Sequence, residues 1–245
     1  MADSNTRAVW HINKHDGTLI SYVSYARLLQ LTGRPDALLT AANAMNPLTG
    51  DMTYYESRSR SFVIATASNQ VDWLLTAVQL MSIAGQSTVA DGVTYDFAGN
   101  FYWANNLTDC IYMRASNGVL QTVLASNAIY AVSGASNATV GALMYAPNGL
   151  LYFLERISAS IYTFAPSAPD PAATLQRFVD SVTISNSVCG TVNLGAFGWY
   201  ANNLTWNTVN NETDSNCLYR VVPEPAGLPL LLALCVLTRR ITRSD

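Results

Sequence analysis

The chain has 245 residues, of which half are hydrophobic and only 12% are charged, and its net charge is −3. A chain of this length can bury a sizeable core, and because an average domain is about one quarter charged, its surface must consist mainly of neutral polar side chains. The single lysine, Lys14, leaves no basic patch for phosphate backbones, which argues against nucleic acid as a partner.

Four glycines divide the chain into near-equal lengths. Gly50, Gly99, Gly149 and Gly198 lie 49, 50 and 49 residues apart, and an aromatic residue follows each within four positions. A period of about this length is typical of propeller repeats. We expect each glycine to lie in a tight hairpin, where a positive φ costs it nothing.

Short apolar and aromatic runs follow the glycines at constant offsets. Residues 101–103 and 111–112 in one unit correspond to residues 151–153 and 161–162 in the next, and turns rich in Asp, Gly and Asn separate these runs. This pattern is typical of short strands and lacks the periodicity of a helix. With a fourth strand in each unit, the sequence predicts an all-β fold, a β-propeller of four-stranded antiparallel blades.

Three full units and two partial ones predict four or five blades, or a ring that is truncated in this sequence. Residues 10–12 and 16–19 resemble 111–113 and 117–120, so the chain starts in mid-blade. The last unit ends after its third strand, and a strand such as 19–25 could fill that vacancy and protect the sheet edge. The predicted units are about 1–37, 38–87, 88–137, 138–187 and 188–222.

The last unit repeats a pentamer, Ala-Asn-Asn-Leu-Thr, which stands at 104–108 and again at 201–205. Aligning the two copies predicts an insertion at 206–214. After it, Cys217-Leu218-Tyr219 corresponds to Cys110-Ile111-Tyr112 of the earlier unit. Departures from a repeat on a rigid scaffold are often functional. We therefore expect a polar loop that contacts a ligand, for instance a glycan stacked on Trp206, with the loop residues Trp206, Asn207, Asn210 and Asn211.

No motif for catalysis or for metal binding is apparent in the sequence. His11 and His15 have no Cys or Glu nearby at ligand spacing, so we expect neither a metal nor a cofactor. There is no nucleophile elbow and no glycine-rich phosphate loop. Four acids would converge if they lay on one propeller face, although turn-capping is the commoner use of such residues: Asp91, Asp96, Asp109 and Glu155.

The cysteines leave the disulfide question open. Cys189 and Cys217 both belong to the last unit and are the best candidate pair, but an intervening strand would separate them beyond disulfide reach unless the sheet end curls. Cys110 has no obvious mate. Cys235 lies in an apolar segment, where we expect an inert thiol.

The C-terminus consists of three parts in a fixed order. A polar break, Val222-Pro223-Glu224-Pro225, precedes an uncharged stretch at 226–238, and the basic residues Arg239, Arg240 and Arg243 follow. By the positive-inside rule this order keeps the last residues cytoplasmic and the body outside. The uncharged stretch predicts a short C-terminal hydrophobic helix, which is either a membrane segment or an ordinary terminal helix. Thirteen helical residues span about 20 Å against about 30 Å of hydrocarbon, so spanning would require residues 221–237 and some membrane thinning.

This tail resembles the PEP-CTERM sorting signal of exported bacterial proteins. The resemblance implies that the tail holds a secreted protein at the membrane until an exosortase processes it near the Pro-Glu-Pro motif and releases it or attaches it to the surface. A signal peptide has a basic region, then an apolar region, then a cleavage site with small residues. Residues 1–18 contain none of these three features. We therefore expect a signal peptide, and a further blade, upstream of Met1.

Together these features predict an exported β-propeller that acts at the cell surface or in the extracellular matrix as a binding or structural module. Its expected partners are an exosortase-like enzyme and a glycan or a surface protein. The alternatives are a secreted propeller enzyme acting on polysaccharide, such as a lyase or glycosidase, and a propeller fragment without independent function. Acidic and aromatic side chains clustered around an axial pocket would favour the enzyme.

Overall fold

A computed structural model describes residues 2–3, 8–12, 19–66, 70–187, 194–200, 203–209 and 216–220. Within them 18 strands form five antiparallel sheets, and in each sheet the strands follow one another in chain order. We number these sheets as blades 1 to 5. Blades 2, 3 and 4 have four strands each, and blades 1 and 5 have three within the described residues.

The strand bounds repeat from blade to blade. Blade 1 contains β1 (Ala2–Asp3), β2 (Ala8–Ile12) and β3 (Leu19–Val23). Blade 2 contains β4 (Leu39–Met45), β5 (Met52–Glu56), β6 (Ser61–Ala65) and β7 (Val71–Leu75). Blade 3 contains β8 (Ala90–Tyr95), β9 (Phe101–Asn105), β10 (Cys110–Arg114) and β11 (Leu120–Leu124). Blade 4 contains β12 (Val140–Tyr145), β13 (Leu151–Glu155), β14 (Ser160–Phe164) and β15 (Gln176–Val179), and blade 5 contains β16 (Leu194–Tyr200), β17 (Asn203–Val209) and β18 (Asn216–Arg220).

The first strands of successive blades lie side by side. Strand β4 lies beside β8, β8 beside β12, and β12 beside β16. The sheets are therefore stacked face to face around an axis, with their first strands innermost. This arrangement confirms the predicted β-propeller of antiparallel four-stranded blades.

Three buried clusters fill the spaces between adjacent blades. The cluster between blades 2 and 3 contains Tyr55, Phe62, Phe101 and Trp103, all 3% exposed or less. Equivalent clusters lie between blades 1 and 2 and between blades 3 and 4. A single blade would leave its aromatic side chains exposed to water, because they are buried by packing against the neighbouring sheet.

Three of the marker glycines lie in the hairpins that join first and second strands. Gly50, Gly99 and Gly149 have φ values of 76°, 78° and 82°. Gly198 differs, because it lies inside β16, opposite Thr205. The predicted hairpin position of Gly198 is therefore wrong.

Strand register explains the error in blade 5. The pair of Phe197 and Trp206 corresponds to the pair of Val93 and Trp103 in blade 3. The second copy of the pentamer, 201–205, therefore begins between first and second strands, whereas the first copy, 104–108, lies at the end of a second strand. The two copies are alike in sequence and not in position.

Strand β3 pairs with β2 in blade 1. The proposal that residues 19–25 complete the last blade is therefore not what the described residues show. The register of β2 shifts at Val9 and Trp10, as that of β10 shifts at Ile111 and Tyr112. Strands β1 to β3 thus correspond to the second to fourth strands of a complete blade.

Four short helices connect the blades, and the sequence pattern did not predict them. They are α1 (Tyr25–Thr32), α2 (Ala77–Ala84), α3 (Ser126–Ser133) and α4 (Ser181–Ser187). Each links a fourth strand to the next first strand. The fourth residue of each is completely buried: Leu28, Leu80, Ile129 and Ile184. The first three belong to the clusters between adjacent blades. Within the described residues, none of the helices has the length and apolar character to cross a bilayer.

Candidate functional site

The two ends of the propeller differ in character, and we name them by their connections. The turn face carries the turns between second and third strands, at 57–60, 106–109 and 156–159. The hairpin face carries the hairpins between first and second strands, at 46–51, 96–100 and 146–150. Asp91 and Glu155 lie at the turn-face end of their strands and Asp109 lies in the turn that follows β9, whereas Asp96 lies on the hairpin face.

Glu155 is a turn cap. Its side chain is completely buried, and it accepts hydrogen bonds from the backbone N–H groups of Thr139 (3.0 Å), Ile157 (2.9 Å) and Ser158 (2.6 Å). These bonds tie the turn of blade 4 to the residue that precedes its first strand. With all three donors satisfied by one carboxylate, Glu155 has a structural role.

The same cap recurs in the two preceding blades. Glu56 accepts from the N–H groups of Leu38 (2.6 Å), Arg58 (3.1 Å) and Ser59 (2.6 Å). Asn105 accepts from two backbone N–H groups at 3.1 and 3.2 Å. The residue that ends each second strand is therefore part of the repeat, although the sequence analysis singled out only Glu155.

Asp91 forms an ion pair with Arg156 across the boundary between blades 3 and 4. Next to it, Gly92 lies against the backbone of Gly141 and Leu143, and a Cβ at Gly92 would collide with the Gly141 carbonyl oxygen. The first strands of these two blades are therefore in direct backbone contact beside the axis.

The other two acids are engaged as well. The Tyr130 hydroxyl donates to Asp109 at 2.6 Å, and this hydrogen bond raises the pKa of Tyr130. Asp96 accepts from the N–H groups of Ala98 and Asn100, both at 2.9 Å, and from the Tyr102 hydroxyl at 3.1 Å. Burial, and then the Asp96 charge, raises the pKa of Tyr102. Each of the four acids therefore has protein partners.

The turn face of blade 2 carries a cluster of exposed charges. Arg34 holds Asp36 through two hydrogen bonds of 3.1 Å, and Arg58 approaches the same carboxylate at 4.0 Å. The hydrogen bond from Arg34 lowers the pKa of Asp36. Arg60, with a φ of 55°, is exposed in the same turn as Arg58. We call Arg34, Asp36, Arg58 and Arg60 the arginine cluster.

The predicted ligand loop is only partly described. Trp206 and Asn207 lie in β17, opposite Tyr219 and Leu218, so they belong to a strand and not to a loop. Asn210 and Asn211 lie outside the described residues. The polypeptide between Val209 and Asn216 leaves and re-enters the sheet at the turn face, because it joins a second strand to a third.

The remaining predicted site residues are the cysteines and the C-terminal motif. Cys217 lies in β18 opposite Thr208, and Cys189 lies outside the described residues, so their pairing stays a prediction. Cys110 is a free thiol. The sorting motif, residues 222–225, and the arginines at 239, 240 and 243 also lie outside. Among the residues that the structure describes, no group of three or more His, Cys, Asp or Glu side chains could hold a metal ion.

No family model and no curated protein matches this chain. Its structure is similar to one in the nidogen/laminin complex (TM-score 0.59, 14% identity, covering 87% of this chain and 67% of that chain). The shared feature is the β-propeller fold. Also similar are a gluconolactonase from Xanthomonas campestris (0.59, 15%, 89% and 66%) and virginiamycin B lyase from Staphylococcus aureus (0.56, 12%, 90% and 61%). The chain spans 61 to 67% of the length of these three proteins, and at such identities the similarity shows the fold alone.

Proposed function

We propose that this protein is an exported β-propeller that binds a carboxylated glycan on its turn face while its C-terminal segment holds it at the membrane. The observation that supports the binding site is the arginine cluster, which is exposed on a protein that is only 12% charged. Guanidinium groups bind carboxylates through paired hydrogen bonds, so polyuronate chains are suitable ligands.

Binding is better supported than polysaccharide cleavage. A lyase or glycosidase needs acids or bases that can exchange protons with the substrate. The acids singled out here are engaged: Glu155 and Asp96 each accept several hydrogen bonds, Asp91 pairs with Arg156, and Asp109 accepts from Tyr130. A propeller that recognises a glycan without cleaving it needs no such group.

The proposed attachment follows from the order of the tail. The Pro-Glu-Pro break, the uncharged stretch and the basic end resemble a PEP-CTERM signal, and an exosortase-like enzyme is the proposed processing partner. Fractionation of the producing cells with intact-mass measurement tests this. A mature chain that ends near Pro225 supports processing, whereas a surface form that retains 226–245 contradicts it.

Glycan binding is tested with immobilised alginate, a polymer of uronic acids, and with neutral dextran as the reference polymer. We expect the protein to bind alginate in a salt-sensitive way and Arg58→Gln/Arg60→Gln to lose that binding. The matched control is Arg27→Gln, which removes an exposed arginine from helix α1. Equal binding by both variants, or equal binding to dextran, would contradict the proposed site.

A further inference from the structure

The hairpin face carries a row of exposed apolar side chains. Met45, Leu48 and Phe97 are 60%, 64% and 57% exposed. Leu48 reaches over Gly99 of the next blade, and the Phe97 ring packs edge-on against Tyr145 of the blade after that, at 5.5 Å between centroids. These side chains thus continue from blade 2 to blade 4. Contiguous apolar surface of this kind marks a contact site.

The chain leaves the described structure at the same face. Arg220, the last residue of β18, is opposite Thr205, which is two residues from the hairpin-side end of β17. Third strands run from the turn face to the hairpin face, as β6 and β10 do in their blades. The last described residue of the chain, Arg220, therefore lies towards the hairpin face.

Only five residues, 221–225, separate this exit from the uncharged stretch that begins at Ala226. Fully extended, they reach about 17 Å. If 226–238 enters the bilayer, the exit point on the hairpin face lies no farther than that from the membrane surface. A spanning segment of 221–237 would bring it closer still.

The charges on this face do not favour attraction to anionic lipids. Asp96 is 7% exposed and engaged with four donors, and Asp51 accepts a hydrogen bond from Thr49. Arg114 is half-buried at the end of β10. Contact with the bilayer would therefore depend on the apolar side chains.

We propose that the hairpin face lies on the outer surface of the bilayer, with Met45, Leu48 and Phe97 in the headgroup region, so that the turn face points away from the cell. This inference rests on the proposed membrane attachment through the tail. A short apolar contact is weak alone, but it strengthens attachment when a second signal already holds the protein at the surface. The ligand site is then the face most distant from the membrane.

The test uses the full chain bound to phosphatidylcholine vesicles whose upper acyl chains carry bromine, which quenches nearby tryptophan. One variant is Phe97→Trp, and the matched control is Ile157→Trp, because Ile157 is 50% exposed on the turn face. Emission is measured as the difference from the parent protein, which has five tryptophans. We expect the added emission at position 97 to fall by roughly half or more, because interfacial side chains lie ~5–10 Å deep, and the emission at 157 to stay unchanged.

The outcomes separate the two proposals. Vesicle-bound protein in which neither position is quenched, or both equally, overturns the orientation and leaves the tail attachment standing. Protein that does not sediment with vesicles overturns the attachment, and the orientation with it. As a second measurement, Met45→Ser/Leu48→Ser/Phe97→Ser should lower the bound fraction at limiting lipid. Its control, Val78→Ser/Met81→Ser/Val182→Ser, alters exposed residues of the helices and should not.

Discussion

Replacing Glu155 by alanine tests whether this residue is structural. The substitution removes the acceptor of three backbone N–H groups, at 2.6 to 3.0 Å, from a site with no solvent exposure. A buried donor left without a partner costs about 1–3 kcal/mol, and the lower end applies because residues 139, 157 and 158 are themselves partly exposed. We therefore expect Glu155→Ala to lose about 3 kcal/mol of stability.

Such a loss is measurable in two ways. For a chain of this size each kcal/mol lowers the Tm by about 2–4 °C, so the thermal transition followed by circular dichroism should move by about 6–12 °C. The local signature is amide hydrogen exchange, which should accelerate at Thr139, Ile157 and Ser158. Because stability in repeat proteins is distributed over neighbouring units, exchange in blade 2 should change least.

The matched control is Asp72→Ala, which removes an exposed carboxylate that accepts from the next N–H group, at 2.7 Å. It should stay within about 0.5 kcal/mol of the parent protein. A Glu155→Ala variant with a Tm equal to that of the control, or with the three amides still protected, would refute the capping role. Glu155 would then become available again as a functional acid.

Three further predictions follow from the packing and the titratable groups. Ile129→Ala should cost about 2–5 kcal/mol in denaturant unfolding because the side chain is fully buried under helix α3, whereas Val78→Ala, at a 77% exposed helix position, should change stability by less than about 0.5 kcal/mol. Gly92→Ala should cost about 3 kcal/mol or more, since its Cβ meets the Gly141 backbone; an unchanged unfolding midpoint would contradict the close contact of the first strands. Burial raises the pKa of Tyr55 to about 12, so the stability that its neutral form contributes is complete below pH 10 and is lost, by up to about 3 kcal/mol, as the pH rises from 10 to 12. Ultraviolet titration that shows ordinary ionisation near pH 10 in the folded protein would contradict this.

The repeating sheets were predictable because two physical requirements recur together. A tight hairpin favours glycine at a positive φ, and a blade buried on both faces needs aromatic residues at fixed distances from that hairpin. Gly99 and Gly149 satisfy the first requirement, and Trp103 and Phe153 the second. Where both signals coincide, the sequence predicts the strands and their order.

The connecting helices were missed because each is only eight residues or fewer, too short to be stable without tertiary packing. A signal was nevertheless present. Thr76 caps α2 and Gly85, nine positions later, ends it with a φ of 69°; Ser24 and Gly33 have the same spacing around α1. A second glycine series, read together with its capping residues, would have predicted both helices.

The last blade shows why identical residues need not be equivalent residues. The repeated pentamer contains Asn and Thr, which suit turns in many settings, so its recurrence carries little information about register. The pairing of Trp206 with Tyr219 is more informative, because it reproduces the pairing of Trp103 with Tyr112. An alignment anchored on these aromatic pairs would have placed Trp206 in the second strand and moved the insertion to the turn between Val209 and Asn216. That is the face which also carries the arginine cluster, so the corrected register puts Val209 and Asn216, the residues that flank the insertion, at the same end of the propeller as the exposed arginines.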